Sequence, residues 1–242
     1  MTNPPAADPG TAPGAGLDHV EAWIFDLDNT LYPASCNLFA QVDRRIGAFV
    51  GRLLSLDPDQ ARHLQTQYFR EHGTTLRGLM TVHGIEPEEF LDYVHDIDVS
   101  PVPPNPALDR ALDALDGRKL VFTNGSQAHA ERILDRLGVA RRFEAIVDIV
   151  ASDYVPKPDR RAYDRMIAAH GVVPGATAMV EDIAVNLIPA HALGMTTVWV
   201  RTEHPWMAPA PGDRHVHHVV DDLTEWLSGV AAARRRRASV SP

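Results

Sequence analysis

Apolar and polar positions change rhythm twice along the chain. Residues 21–25 form a short apolar run with a bulky aromatic and read as a buried strand. Between 34 and 97 the period becomes helical. Leu38, Val42, Ile46, Phe49, Val50 and Leu53 fall three or four apart and lay an apolar stripe along one long helix. Asp57-Pro58 reads as an N-cap with proline at the first helical position, opening a second helix that runs to His72 and stops at Gly73. Two shorter helices are expected over 75–83 and 88–97, the latter headed by Pro87. Residues 100–106 carry four prolines and read as an extended hinge. Beyond it strand and helix alternate: strands over 119–123, 145–150, 176–180, 196–200 and 216–220, with helices over 106–115, 128–137, 160–169, 185–193 and 223–230.

Such alternation predicts a parallel sheet with helices on both faces, an α/β Rossmann-like core interrupted by an inserted helical unit. The expected organisation is a disordered tail over 1–18, a core built from 19–33 and 101–230, a helical cap over 34–100 and a basic disordered tail over 231–242. At 242 residues the chain can bury a sizeable core. Its net charge of −9 argues against nucleic acid or an anionic membrane as partner of the folded body. One cysteine, Cys36, excludes an internal disulfide framework and fits a reducing, cytoplasmic setting. The Pro-, Ala- and Gly-rich start does not have the form of a secretory signal, and no apolar run is long enough to span a bilayer. Oligomeric state is left open.

Chemistry gathers at strand ends. The first strand runs into Asp26-Leu27-Asp28, followed by Asn29, Thr30 and a turn closed by Pro33. The strand over 119–123 ends in Thr123-Asn124-Gly125, a hydroxyl, an amide and a glycine suited to phosphate oxygens. Lys157 follows the next strand, with its backbone restricted by Pro156 and Pro158. The strand over 176–180 ends in Glu181-Asp182, with Asn186 one turn into the next helix. Each piece alone has a bland reading as turn or solvated charge. Four consecutive parallel strands, however, present their C-terminal ends on one side of a sheet. Carboxylates gathered there repel unless a cation joins them, and oxygen ligands select a hard ion, Mg²⁺. A hard metal beside Thr and Lys points to phosphate.

The order and types of these motifs, over roughly 22–201, resemble the haloacid dehalogenase superfamily in its phosphatase branch with a helical cap. Four stretches resemble its pyrimidine 5′-nucleotidase group: Asp26-Leu27-Asp28-Asn29-Thr30-Leu31-Tyr32-Pro33, His72-Gly73-Thr74-Thr75-Leu76-Arg77-Gly78-Leu79, Val94-His95-Asp96-Ile97-Asp98 and Phe122-Thr123-Asn124-Gly125 with Ala128-His129. The resemblance implies that Asp26 attacks phosphorus and that Asp28 is an acid–base holding a proton while Asp26 does not. It implies that Thr123 and the Asn124 amide hold a phosphoryl oxygen, and that Lys157 neutralises nucleophile and phosphate. Mg²⁺ would sit on the Asp26 carboxylate, the Asp28 carbonyl and Asp182, with Glu181 a further ligand or an orienting neighbour. Ile183 stands where related sequences carry a small hydroxyl residue, leaving Asn186 as the outer polar group. In the cap, Thr75, Arg77 and His95 are candidates to touch a base or sugar.

The expected activity is Mg²⁺-dependent hydrolysis of a small phosphate ester, a pyrimidine nucleoside 5′-monophosphate before others. A sugar-phosphate phosphatase, a phosphomutase and a phosphate-binding module without catalysis are the alternatives. A hydrolytic dehalogenase would call for neither Asp28 nor a metal. His215, His217 and His218 read as surface residues flanking a strand rather than a zinc site, because no cysteine or further histidine stands nearby at the right spacing. Trp199 and Trp226 are expected in the core, and Trp206 over a loop.

Overall fold

The computed structural model describes residues 16–202, 207–210 and 212–239. Residues 1–15 of the tail expected over 1–18, the end of the chain from residue 240 and Trp206 lie outside the described residues. The elements run β1 (Ala22–Phe25), α1 (Phe39–Leu54), α2 (Pro58–His72), α3 (Thr75–His83), α4 (Pro87–His95), α5 (Pro106–Ala114), β2 (Arg118–Phe122), α6 (Gln127–Leu137) and β3 (Ala145–Val147). There follow α7 (Arg160–His170), β4 (Thr177–Glu181), α8 (Leu187–Ala192), β5 (Thr196–Val200), β6 (His218–Val220) and α9 (Leu223–Ala238).

The six strands make one sheet in the order β3-β2-β1-β4-β5-β6, and every pairing is parallel. The α/β Rossmann-like class follows directly. β1, β4 and β5 are buried throughout, as strands covered on both faces must be. Side chains alternate between those faces. Trp23 and Phe25 pack with α5, α6 and α9, while Ile24 packs on the other side with Met179 of β4 and with Tyr163 and Leu187 of the α7 and α8 layer. Strand order reverses at β1: β2 and β3 lie to one side, β4 to β6 to the other. The crevice beyond the C-terminal ends of β1 and β4 is therefore the switch point where open sheets bind ligands.

Helices α1 to α4 fall between β1 and β2. α1 packs on α2 and α4, and α3 packs on α2. Local signals set their ends. Asp57 caps α2 through the N–H groups of Asp59 and Gln60, and Gln60 returns a bond to the Asp57 N–H. Gly73, at φ 84°, closes it. α4 stops at His95, two residues short of the end expected at 97.

Both ends of the chain depart from expectation. The tail expected over 1–18 is already core at Leu17, which is fully buried. The tail expected over 231–242 is helical through Ala238. Arginine is a strong helix former, and here it also finds partners. Arg234 donates to the carbonyls of Leu17 at 2.9 Å and Asp116 at 3.1 Å, and Arg237 pairs with Asp18. β3 is shorter than the strand expected over 145–150. The helix expected over 185–193 is a 3₁₀ turn at Ala184–Asn186 leading into α8. His217, expected at the surface, is buried, and its Nδ1 accepts from the Thr197 N–H at 3.0 Å. No described helix is long and apolar enough to cross a membrane.

Candidate functional site

Asp26 extends β1 by one bond, its N–H donating to the Val180 carbonyl at 2.9 Å, and so arrives buried at the switch point. The chain then turns sharply through Asn29, at φ 58°. That turn returns the Thr30 hydroxyl to Asp26 Oδ2 at 3.1 Å and the Tyr32 hydroxyl to Asp28 Oδ1 at 2.6 Å. Lys157 enters from the loop after β3. Its ammonium donates to Asp26 Oδ1 at 2.6 Å, Glu181 Oε2 at 2.7 Å and the Phe122 carbonyl at 2.9 Å, which uses all three protons. The lysine's backbone is fixed by Asn124, whose side-chain oxygen accepts the Lys157 N–H at 2.8 Å and whose amide donates to the Lys157 carbonyl at 3.2 Å.

Charge in this pocket does not balance. Oxygens of Asp26, Glu181 and Asp182 lie within 4.8 Å of one another, all three residues are buried, and Lys157 is the one cation bonded to them among the described residues. Burial first, and then Glu181, push the Asp26 carboxyl up to about 7 despite Lys157. Burial and the Glu181 and Asp26 charges drive Asp182 well above its ordinary value. Burial opposes the charge on Lys157, but Asp26 and Glu181 outweigh it and hold the ammonium protonated. Glu181 is spent on its neighbours: besides Lys157 it accepts from Asn186 Nδ2 at 2.9 Å and the Ile183 N–H at 3.3 Å. Asp182 Oδ2 is buried with no hydrogen-bond partner. An orphaned carboxylate oxygen inside an acidic triad fits a metal cation, and this donor set can hold one.

Asp28 behaves differently from Asp26. Burial alone would raise it, yet the His129 imidazole and hydrogen bonds from His129 and Tyr32 outweigh burial and bring it down to about 2. The expected split, Asp28 protonated and Asp26 not, is therefore inverted in the chain by itself. His129, at 2.9 Å from Asp28 Oδ1, is the reason.

The other candidates divide. Thr123 is buried at the end of β2, and its Oγ1 accepts the Gly125 N–H at 2.9 Å. Asn124 serves the Lys157 loop with its side chain. At Gly125 a Cβ would come within 3.3 Å of both Thr123 Oγ1 and the His129 ring, so only glycine fits without displacing them. His95 and Thr75 line the cleft above the carboxylates, although the Thr75 hydroxyl is occupied by the Gln65 carbonyl at 3.2 Å. Arg77 does not line that cleft; its charge acts on Asp159 instead. Sequence reasoning missed Tyr32 and His129 as site residues. The signal for His129 was available: it lies in the first turn after Thr123-Asn124-Gly125, on the same sheet edge as Asp28.

The cleft has a volume of about 590 Å³ and separates the strand ends from the helical insert. Phe39, Val42, Ile46, Phe90 and Val94 line its helical side, and Asp26, Asp28, Thr123, Lys157 and Asp182 line its floor. A Rossmann-like sheet with an acid–lysine centre at its switch point defines the class of protein. The chain belongs to the haloacid dehalogenase-like hydrolases, whose family model matches residues 20–194. It is 28% identical over 193 residues to Phosphate metabolism protein 8 of Saccharomyces cerevisiae, an alignment covering 72% of this chain. The chain spans 60% of that relative's length. Among solved structures it is similar to a HAD phosphatase from Thermococcus onnurineus, with TM-score 0.55, 16% identity, and 90% of this chain and 98% of that one covered. It is also similar to the L-2-haloacid dehalogenase of Xanthobacter autotrophicus with chloropropionic acid covalently bound, with TM-score 0.51, 16% identity, and 92% and 100% covered. At such identities the structural likenesses carry the fold.

Proposed function

We propose that the chain is a Mg²⁺-dependent phosphomonoester hydrolase. The observation that carries this reading is the floor of the cleft: a buried carboxylate, Asp26, held between an ammonium and an acidic group with an orphaned oxygen, beside the Thr123 hydroxyl. Asp26 and Asp182 with the Asp28 carbonyl are the groups that would hold the metal, and Glu181 is engaged in holding Lys157. When bound, Mg²⁺ supplies neutralising charge to phosphoryl oxygens and carboxylates alike.

Asp26 attacks phosphorus and becomes an aspartyl-phosphate as the ester oxygen departs. Lys157 steadies the nucleophile and one phosphoryl oxygen, and Thr123 donates to another. Asp28 gives a proton to the leaving oxygen and later takes one from the attacking water. A phosphoryl dianion beside Asp28 favours its protonated form and so opposes the pull of His129. Helices α1 to α4 serve as a cap over the cleft.

For substrate we favour a pyrimidine nucleoside 5′-monophosphate. The helical side of the cleft carries Phe39 and Phe90 beside polar groups such as Arg62, Gln65 and Thr66, a mixture that suits the flat face and polar edge of a base. Sugar-phosphate hydrolysis and phosphoryl transfer to a second substrate hydroxyl use the same floor and differ in what the cap admits. Displacement of halide from carbon requires neither a proton donor at Asp28 nor a cation on Asp182.

The test is a release screen with Mg²⁺ over nucleotides, sugar phosphates and 2-chloropropionate. Phosphate release abolished by Asp26→Asn, with the fold retained, is the expected result. Halide release without phosphate release would sink the reading.

A further inference from the structure

His129 forms a bond whose geometry nothing else in its own shell fixes. Its Nε2 lies 2.9 Å from Asp28 Oδ1, but its Nδ1 is buried and has no hydrogen-bond partner. An imidazole is ordinarily oriented by a second bond on its other nitrogen. Here the orienting contact is a ring. His95, at the C-terminal end of α4, stacks on His129 with centroids 4.4 Å apart and planes at 18°. His95 is in turn anchored to the core, since its Nδ1 lies 3.0 Å from the Ser126 hydroxyl. The end of α4 is clamped as well. Arg132, on α6 one turn beyond His129, donates to the carbonyls of His95 at 2.8 Å and Ile97 at 2.6 Å. Gly125 leaves the room this pair needs: a Cβ there would approach the His129 ring to 3.3 Å and His95 Nε2 to 3.6 Å.

We propose that His129 is a positioning residue for Asp28, and that His95, from the cap, holds His129 in place, so that the cap end of α4 aligns the proton donor. The inference rests on the phosphatase reading and adds to it two residues that need not touch substrate. His129 and Tyr32 both engage Oδ1, which fixes the carboxyl plane and leaves Oδ2 as the oxygen to meet the leaving group. Removing the His129 bond frees rotation about the Asp28 side chain, and removing His95 frees the His129 ring. Loss of His129 also relieves its pull toward ionised Asp28, so a fall in rate on its removal reads misaligned proton delivery rather than loss of the proton, and neither substitution touches the nucleophile.

Leaving groups separate this role from a structural one. A nucleotide's ribose oxygen departs poorly and needs the proton, whereas p-nitrophenolate departs well without it. Loss of a general acid costs about 10²–10⁴-fold where the proton is needed, so misalignment should cost a part of that range. The experiment measures kcat for UMP and for p-nitrophenyl phosphate in the full chain carrying His129→Ala, His129→Gln, His95→Ala and the double substitution His95→Ala/His129→Ala. Circular-dichroism melts accompany each variant. We expect His129→Ala to lower kcat on UMP by about tenfold or more while changing p-nitrophenyl phosphate by less than about threefold. His129→Gln, whose amide can donate to Oδ1, should recover part of the loss. His95→Ala should show the same selectivity at smaller size, and the double variant should be no worse than His129→Ala, because both act through one contact.

If His129→Ala fails to fold, the His95→Ala ratio carries the test, since His95 lies on the partly exposed cap side. Equal losses on the two esters, or additive losses in the double variant, overturn the inference and leave the phosphatase reading standing. A parent protein that releases phosphate from neither ester overturns both.

Discussion

The Lys157 ammonium lies 2.6 Å from the Asp26 carboxylate, a bond joining residues 131 positions apart, and the same ammonium lies 2.7 Å from Glu181. Among the described residues it is the one cation bonded to this buried acidic group. Replacing it by Lys157→Met leaves the carboxylates to repel one another in a dry site. Breaking a buried pair in this way costs about 3–5 kcal/mol, and removing a preorganised donor costs about 10²–10³-fold in kcat. Phosphate release should fall by at least that factor, with urea midpoints lowered at pH 7.5 in EDTA. Lys157→Arg should not rescue, because a planar fork cannot meet three acceptors arranged around a single ammonium. Near-parent activity in either variant would remove Lys157 from the mechanism.

Metal binding should be linked to pH. A proton must leave Asp26, raised to about 7, and Asp182, raised well above its ordinary value, before a cation can occupy the site. The Mg²⁺-induced rise in Tm should therefore be small at pH 5 and larger at pH 8. In EDTA the Asp26 contribution has the opposite slope: with its pKa raised from 3.8 to about 7, the stability it confers is fully present below about pH 4 and is lost as pH rises through 7. His95 and His217, lowered to about 3 and about 4 chiefly by burial, work against that trend. The Mg²⁺-dependent difference is thus the clean observable. Asp182→Ala should abolish it while leaving Tm in EDTA unchanged or higher, because the buried orphan oxygen is gone. A shift independent of pH, or one that survives Asp182→Ala, would contradict this account of the site.

Asn124 should matter through Lys157 rather than through phosphate. Both of its amide atoms bond the Lys157 backbone, so Asn124→Ala leaves a buried loop without two hydrogen bonds, worth about 1–3 kcal/mol together. The lysine then loses its aim, and kcat should fall by about tenfold with KM nearly constant, since an ammonium made more effective in the transition state is what is weakened. Steady-state kinetics on one nucleotide decides it. A raised KM at constant kcat would return Asn124 to direct phosphate binding.

Much of this was legible in the chain because its causes are local. Strand ends, proline at the first turn of α2 and glycine after α2 act within a few residues, and parallel pairing brings the strand ends to one edge whatever the loops do. What escaped was decided at long range. The arginines after Val230 look like a solvated tail until Arg234 meets the carbonyls of Leu17 and Asp116, which no window of sequence contains. His217 looks exposed until Thr197 supplies its partner. Arg77 sits in family-like wording, but the direction a helical side chain takes depends on how α3 packs, and Arg77 does not line the cleft. The protonation order expected of Asp26 and Asp28 came from the resemblance and from no pattern of residues. Two carboxylates two residues apart are separated by what each meets across the cleft, Glu181 and Lys157 for one and His129 for the other.

Substrate choice returns to the cap, and there the geometry moves the wager from Arg77 to Phe39. Phe39 lies at the start of α1, 40% exposed, and lines the cleft opposite the carboxylate floor. An aromatic ring left in solvent at a cleft mouth gains by stacking on a base. Such a stack is worth about 1–3 kcal/mol, or roughly five- to 150-fold in kcat/KM. UMP and ribose 5-phosphate share the phosphoryl group and the pentose and differ in the base, so their ratio isolates that contact. Phe39→Ala should lower kcat/KM for UMP by about tenfold and leave ribose 5-phosphate within about twofold. Arg77→Ala should lower both equally or neither, since its side chain lies outside the cleft. Equal losses from Phe39→Ala would remove the base from the proposed contact, and a parent that prefers ribose 5-phosphate to every pyrimidine nucleotide would replace the nucleotide reading with a sugar-phosphate one on the same catalytic floor.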